Sequence, residues 1–232
     1  EANTLYKEGT GYPALAALNI EYSFFRDLSL GLPKDTGNNA TDFIFADTNG
    51  TPAGAPQRLG APGPENLSSP IQRFSTVPAS LIDPCQSSAA PPNRVVDTTS
   101  DPANNSTFGT LTVRRKFTNN TGSSVTRLRF RIVDVTTFFV PTGTADLRAR
   151  TSTLTTVSVS PACGGGSVNV QGTTLEQPPT QPNGGGFNSS LSAGTVTLGT
   201  PLAPGASVNV QFLLGVQQRG SFRFFITIEA LP

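Results

Sequence analysis

The sequence contains no histidine, no tryptophan and no methionine, and only 13% of its 232 residues are charged. The missing imidazole excludes histidine-based catalytic triads, histidine-ligated zinc and histidine acid–base catalysis. No stretch comes near the roughly 18 consecutive apolar residues of a membrane-spanning helix, so we expect no membrane span. The formal net charge of +1 gives no general attraction to nucleic acid, and we expect no nucleic-acid partner.

Motifs for catalysis are also scarce. The fifteen carboxylates are spread thinly along the chain, and no pair stands out as the two acids of a glycosidase. There is no Gly-x-Ser-x-Gly nucleophile motif, and the glycine runs at 164–166 and 184–186 lack the strand and helix that flank a phosphate-binding loop. We therefore predict that the protein is not an enzyme and holds no cofactor or metal.

The composition is typical of an exported protein. Three lysines stand against thirteen arginines, serine, threonine and asparagine are abundant, and there is no initiating methionine. We expect an extracellular or cell-surface location, with a signal peptide removed. Cys85 and Cys163 then allow one disulfide and only one pairing. The alternative is a pair of buried, reduced thiols in a reducing compartment.

Alternating patterns in the second half of the chain predict antiparallel strands. Within 125–135, apolar residues at 128, 130 and 132 alternate with arginines at 127, 129 and 131, as in a strand with one buried face. A strand at 110–118 precedes it, and turn residues fill 119–124. We therefore expect a hairpin that places Arg114 and Lys116 opposite those arginines. Further strands are predicted at 153–160, 167–170, 195–198, 207–216 and 221–230.

The first half of the chain reads differently. Strand patterns occur at 19–30 and 42–46, after a short helical candidate at 13–18. Residues 48–101 are dominated by proline, glycine, alanine and serine, and such a stretch cannot form a central sheet because proline lacks the backbone donor.

We predict an all-β protein, in which 106–232 form an antiparallel immunoglobulin-like β-sandwich. Residues 1–105 would be a long Pro/Gly-rich N-terminal arm that packs on the sandwich or on a neighbouring subunit.

Two segments resemble a known family. KFTNNTGSSVTRLRF, at 116–130, has an NTG turn between two strands, and PLAPGASVNVQFLLGV, at 201–216, has a Pro-Gly turn that leads into a late strand. Over about 110–230 the chain resembles bacterial immunoglobulin-like surface modules of the CARDB type. The resemblance implies an extracellular, non-catalytic scaffold, and it does not cover residues 1–105. Such folds host many functions.

The apolar segment at 19–30 is strand-like enough to complete an open sheet edge in another copy. We therefore predict a structural subunit of an extracellular filament or cell-surface array, a homopolymer whose copies are linked by strand donation. The predicted donor residues are Asn19, Ile20, Tyr22, Phe24 and Leu28. The predicted acceptor residues are Arg127, Arg129, Arg131 and Phe225.

Other interpretations of these features remain open. The arginines also fit a solvated sheet face balanced by nearby carboxylates, at 134, 146, 176 or 229, or a polyanion site. Phe225 fits a position under the N-terminal arm as well as a contact with a neighbouring chain. The alternative function is a glycan-binding or adhesive surface module, with glycans or other surface proteins as partners. The absence of tryptophan and the presence of only three tyrosines weigh against it.

Asparagines followed two residues later by serine or threonine are candidate glycosylation sites. They are Asn39, Asn49, Asn66, Asn104, Asn105, Asn119 and Asn188. The oxygen-rich runs at 47–50 and 97–101 resemble calcium loops, but they lack the terminal bidentate glutamate. Ordinary Asx turns are the alternative and explain both runs.

Overall fold

The structure is a computed structural model that describes residues 5–15, 20–27, 32–49, 57–62, 76–136, 145–176, 182–194 and 198–232. Nearly all of its regular structure is β. The strands are Tyr22–Arg26 (β1), Phe43–Asp47 (β2), Gln57–Leu59 (β3), Ala79–Ser80 (β4), Arg94–Asp97 (β5), Thr110–Thr118 (β6), Arg127–Val135 (β7), Asp146–Arg150 (β8), Thr155–Ser158 (β9), Ser167–Val170 (β10), Thr173–Leu175 (β11), Ser190–Ala193 (β12), Ser207–Gln218 (β13) and Phe224–Leu231 (β14). One helical turn, Asn39–Asp42 (α1), precedes β2, and 3₁₀ turns occupy Pro102–Asn104 and Pro161–Cys163.

Two antiparallel sheets form a sandwich, which confirms the predicted all-β sandwich class. One sheet has the order β4-β6-β13-β8, and β5 also pairs with β6. The other sheet has the order β11-β12-β7-β14. β9 and β10 form a separate hairpin, which is joined to β13 by backbone hydrogen bonds between Gln171 and residues 209 and 211.

The pairing of the four longest strands matches the immunoglobulin arrangement. In that fold strands B and E pair in one sheet, and strands C and F pair in the other. Here β6 pairs with β13, and β7 pairs with β14, over eight or nine residues each. β8 lies beside β13, in the position of strand D, and β12 lies beside β7, in the position of strand C′. In the immunoglobulin fold C′ precedes D in the chain, whereas here β8 precedes β12.

Period-2 alternation explains which side chains form the core. The inward residues of β7 are fully buried, and their rings and methyl groups pack on the inward residues of β6 and β13. Phe117, Phe130 and Phe212 form an aromatic cluster, with ring centroids 4.7 to 6.2 Å apart. Phe212 makes edge-to-face contacts with both other rings, and such contacts add stability beyond the burial of area.

The N-terminal part of the chain forms a further sheet of three strands, in the order β1-β2-β3. It is attached to the sandwich at β3. Gly60 bridges to Phe187, Phe25 packs edge-on against the Phe187 ring at 5.3 Å, and Arg58 forms an ion pair with Asp134 at 2.8 Å. The described residues of this three-stranded sheet therefore contact their own sandwich.

Three expectations from the sequence need correction. β6 and β7 do not form a hairpin, because the chain crosses from one sheet to the other between them. Arg114 and Lys116 consequently lie opposite Gln211 and Asn209 of β13, not opposite the arginines of β7. Residues 13–15 of the helical candidate are not helical, and its remainder lies outside the described residues, as do the predicted strand positions 195–197.

The strands β4 and β5 extend the sandwich into residues before 106. They lie at the edge of their sheet, where a proline-rich segment can be accommodated. The segment between them is held by the disulfide Cys85–Cys163, which confirms the predicted pairing. Beside it the buried Asp83 carboxylate accepts hydrogen bonds from the Ser160 amide at 2.8 Å and from the Cys85 amide at 3.0 Å.

No helix within the described part of the chain is long and apolar enough to cross a membrane.

Candidate interaction site at the open edge of the sandwich

Within the described part of the chain, one edge of β14 is free of strand pairing. Its eight residues pair with β7, and among the described residues no strand pairs with its other edge. β14 corresponds to strand F of an immunoglobulin-like sandwich, and in that fold strand G pairs with the edge that is free here. An unpaired strand edge presents a row of backbone donors and acceptors to which another strand can bind.

The two sheets are also open to solvent beside this edge. Phe224, Ile226 and Ile228 face the core but are only partly buried, whereas the β7 residues beside them are fully buried. On the opposite sheet, Val96 of β5 lies across from the buried Leu111, yet 64% of its surface is exposed. The Arg94 guanidinium of β5 lies 5.8 Å from the ring of Phe222, just before β14. We call the surface made by the partly exposed core-facing residues of β14 and β5 the edge groove.

Aromatic side chains outside the core flank the edge groove. Phe225, on the outward face of β14, is 56% exposed, and Phe222 just before the strand is also exposed. The predicted acceptor residue Phe225 is therefore at the surface, and no described residue of the N-terminal sheet buries it. Exposed aromatic groups next to an unpaired edge are typical of an interface.

Two arginines that the sequence reasoning missed stand at the same opening. Arg94 lies opposite Val113 on β6, and its guanidinium is 5.8 Å from the Phe222 ring. Arg115, two residues beyond Val113, is on the same core-facing side of β6 and donates to the carbonyl oxygens of Asn93 and Arg114. The signal was present in the sequence, since Arg115 interrupts an otherwise apolar face of β6.

The arginines of β7 are engaged within the chain. Arg131 donates to Glu229 at 2.8 Å, with both side chains nearly buried, and Arg129 is 3.5 Å from Glu176. Only Arg127 is exposed. Two of the four proposed counter-charges, at 176 and 229, thus pair with the β7 arginines, whereas Asp134 and Asp146 pair with other arginines. The subunit contact through these arginines stays a prediction, and the ion pairs make Arg129 and Arg131 its least accessible members.

The predicted donor segment is a strand within its own chain. Tyr22 and Phe24 belong to β1, which pairs with β2, and both rings pack on Phe45. Tyr22 is 43% exposed and Phe24 41% exposed. Ile20 precedes the strand and is partly buried, and Asn19 and Leu28 lie outside the described residues. Among described residues, nothing pairs with the second edge of β1.

The candidate glycosylation sites differ in access. The side-chain amides of Asn39 and Asn119 are buried and donate to Tyr6 and to the carbonyls of Ser123 and Leu202, so the folded chain does not present them to a transferase. Asn49 and Asn104 are exposed. The amides of Asn105 and Asn188 are half-buried and bond Pro182 and Ala61, and Asn66 lies outside the described residues.

The oxygen-rich runs form Asx turns. Asp47 accepts from the Asn49 amide, and Asp97 accepts from the Thr99 amide at 2.8 Å, which lowers the pKa of Asp97. Side-chain oxygens of Glu8, Asp35 and Asp42 lie within 4.8 Å of one another. Burial of Asp42 raises its pKa, but hydrogen bonds from Thr36, Asn38 and Thr41 outweigh this effect, and the net direction is down.

Comparison with protein-family models, with curated proteins and with solved structures finds no match for this chain.

Proposed function

We propose that the protein is a non-catalytic, secreted structural subunit of an extracellular filament or cell-surface array, in which copies associate through sheet edges. The observation that carries the proposal is the edge groove: the second edge of β14 pairs with no described strand, and the core-facing side chains of β14 are only partly buried. A strand from a neighbour would satisfy the backbone groups of β14 and cover those side chains in one step.

The partner edge that we propose is β1 of another copy. β1 is also unpaired on one side among described residues, and it carries exposed aromatic rings. Because β1 is already bonded to β2, no strand has to leave its sheet. The contact joins the three-stranded sheet of one copy to the β14 sheet of the next. It uses two different surfaces, and such heterologous contacts build open chains unless they close into a ring.

The experiment is a comparison of two exposed apolar residues. Phe225→Lys places a charge on the β14 edge, which is how natural sheets block edge association. Leu154→Lys is the matched control, because Leu154 is similarly exposed, at 59% against 56%, and precedes β9. Sedimentation velocity over a wide concentration range, with negative-stain electron microscopy, reports the association of each protein.

We expect the unaltered chain and Leu154→Lys to associate into elongated species, and Phe225→Lys to remain monomeric at the same concentrations. A chain that stays monomeric throughout, or a Phe225→Lys variant that associates as well as the control, would refute the proposal. Circular dichroism of each variant shows whether the fold is retained.

One observation favours the alternative, an adhesive or glycan-binding module. Two of the three tyrosines, Tyr6 and Tyr22, are exposed at 76% and 43%, and exposed tyrosine rings can stack on sugars. A glycan array tests this function. Binding that is lost in Tyr6→Ala or Tyr22→Ala would support it, and an array without binders would refute it.

A further inference from the structure

The charges of this chain are unevenly satisfied. Eight of its described basic side chains form ion pairs with described carboxylates. Of the basic residues that form no ion pair with a described carboxylate, four lie close together: three are consecutive on β6 and one is on the paired strand β5. They are Arg94, Arg114, Arg115 and Lys116.

Arg94 and Arg115 are the two of these four that face the edge groove. Arg94 and Val113 are directly opposite, so Arg115 is the diagonal neighbour of Arg94 on the same face, at a separation of about 7–8 Å between backbones. Arg115 lies beside the gap between β4 and β5, because β4 pairs with residues 116 and 117 and β5 with residues 110 to 113.

Both guanidinium groups are half-buried and lack a counter-charge among described residues. Burial lowers the pKa of Arg115, and the charge of Arg94 lowers it further. Arg115 makes its two hydrogen bonds through one nitrogen, Nη1. Its remaining N–H groups can take a carboxylate in the two-point geometry that arginine favours. Two like charges that are partly removed from water are costly to hold together without an anion.

Exposed carboxylates that form no ion pair with a described residue occur on β5 and in the N-terminal part of the described chain. On β5 this is Asp97, whose carboxylate accepts a hydrogen bond from the Thr99 amide and lies on the strand face opposite to that of Arg94. Glu8, Glu21 and Asp35 are exposed, and none forms an ion pair with a described residue. All three belong to the N-terminal sheet and its connections. Glu21 immediately precedes β1, the strand whose second edge is unpaired. The β1 edge is therefore preceded by an exposed acidic side chain, whereas the basic side chains of Arg94 and Arg115 lie beside the β14 edge.

We infer that Arg94 and Arg115 form a carboxylate-binding site in the edge groove, and that its ligand is Glu21 of a second copy of this chain. The inference rests on the proposed self-association. It names the charged residues that would make the β14 edge of one copy bind the β1 edge of the next. In the assembly the β1 edge of one copy adds to the β14 edge of the next, and Glu21 neutralises the arginine pair.

The test exchanges the charges. Arg94→Glu reverses the receptor side, Glu21→Arg reverses the ligand side, and both positions are partly or fully exposed. Lys116→Glu is the control for net charge, since Lys116 is exposed on the opposite face of β6. Each variant is measured alone by sedimentation velocity at low and high salt, and then Arg94→Glu is mixed with Glu21→Arg.

We expect each reversal alone to weaken self-association by about tenfold or more, the loss of one charge-assisted contact. The mixture should recover hetero-association, because the reversed surfaces are again complementary, and Lys116→Glu should resemble the unaltered chain. If Phe225→Lys blocks association while Arg94→Glu behaves like Lys116→Glu, or if the mixture does not recover, this inference is overturned and the proposed function stands. If the unaltered chain does not associate, both are wrong. Circular dichroism excludes unfolding, and Arg115→Gln provides a second receptor-side variant.

Discussion

Removal of the Cys85–Cys163 disulfide is expected to lower the free energy of unfolding by an amount that depends on the length of the loop it closes. The bridge closes a loop with a sequence separation of 78 residues. In the chain-entropy model this separation corresponds to about 4.5 kcal/mol at room temperature. Native proteins are stable by only about 5–15 kcal/mol, so the loss would be a large fraction of the total.

Little else should contribute to the cost in the double variant Cys85→Ala/Cys163→Ala. Cys85 is exposed and Cys163 is partly exposed, so truncating them leaves no cavity of consequence in the core. The hydrogen bonds from Ser160 to the Asp83 carboxylate hold the same junction without the bridge. Those between Asn93 and Asp83 hold the shape of the segment that carries Cys85. The native structure should therefore persist, and the change should lie mainly in the unfolded state.

Urea unfolding of the variant, followed by far-ultraviolet circular dichroism because the chain has no tryptophan, measures the loss. We expect a decrease in the free energy of unfolding of about 4.5 kcal/mol, with a larger dependence on urea because the unfolded chain is more expanded. The unaltered protein in a reducing agent should give the same values. A loss below about 1 kcal/mol would refute the loop-entropy account, since it is far outside the range of that model.

Three further changes test other parts of the fold. The pKa of Asp83 is lowered, chiefly by hydrogen bonds from Ser160. Its stabilising effect should therefore be present above the unfolded value of about 3.9 and be lost as pH falls through the folded value. Asp83→Asn should reduce stability at neutral pH and flatten the acid limb of an unfolding titration. Glu229→Gln removes a nearly buried partner of Arg131 and should cost about 3 kcal/mol in urea unfolding. Gly60→Ala would place a Cβ atom 1.9 Å from a carbonyl oxygen of the sandwich and should make the β1-β2-β3 sheet more susceptible to limited proteolysis, unlike the unobstructed Gly122→Ala.

The strands that the sequence predicted best are those with long alternation. β6 was predicted with its observed bounds, and β7, β13 and β14 were predicted to within three residues at either end. Their alternation identifies two faces but not the neighbouring strand, because pairing between distant segments depends on the whole sandwich. The hairpin between β6 and β7 was wrong for this reason. Asn119 instead shapes a crossing turn, where its buried side chain bonds Ser123 and Leu202.

The strands that the sequence missed are short or lack an apolar face. β12 contains two serines that are fully buried, Ser190 and Ser192, so its burial is not encoded in hydrophobicity. Ser190 accepts from Arg129, and Ser192 donates to Glu176. These polar contacts replace apolar ones, and only the tertiary structure brings their partners together. β5 was hidden within the proline-rich segment, and its position at a sheet edge explains how it tolerates that context.

Charge satisfaction favours one mode of association over another. A two-fold pairing of β14 with β14 would place the same surface on both sides. The Arg94 and Arg115 guanidinium groups of both copies would remain without a carboxylate, because the acidic residue of β14, Glu229, is already engaged with Arg131. The exposed carboxylates of the N-terminal sheet would also remain unpaired. The proposed head-to-tail contact between β1 and β14 pairs Arg94 and Arg115 with Glu21, so in this proposal the charges favour a chain that grows over a closed dimer.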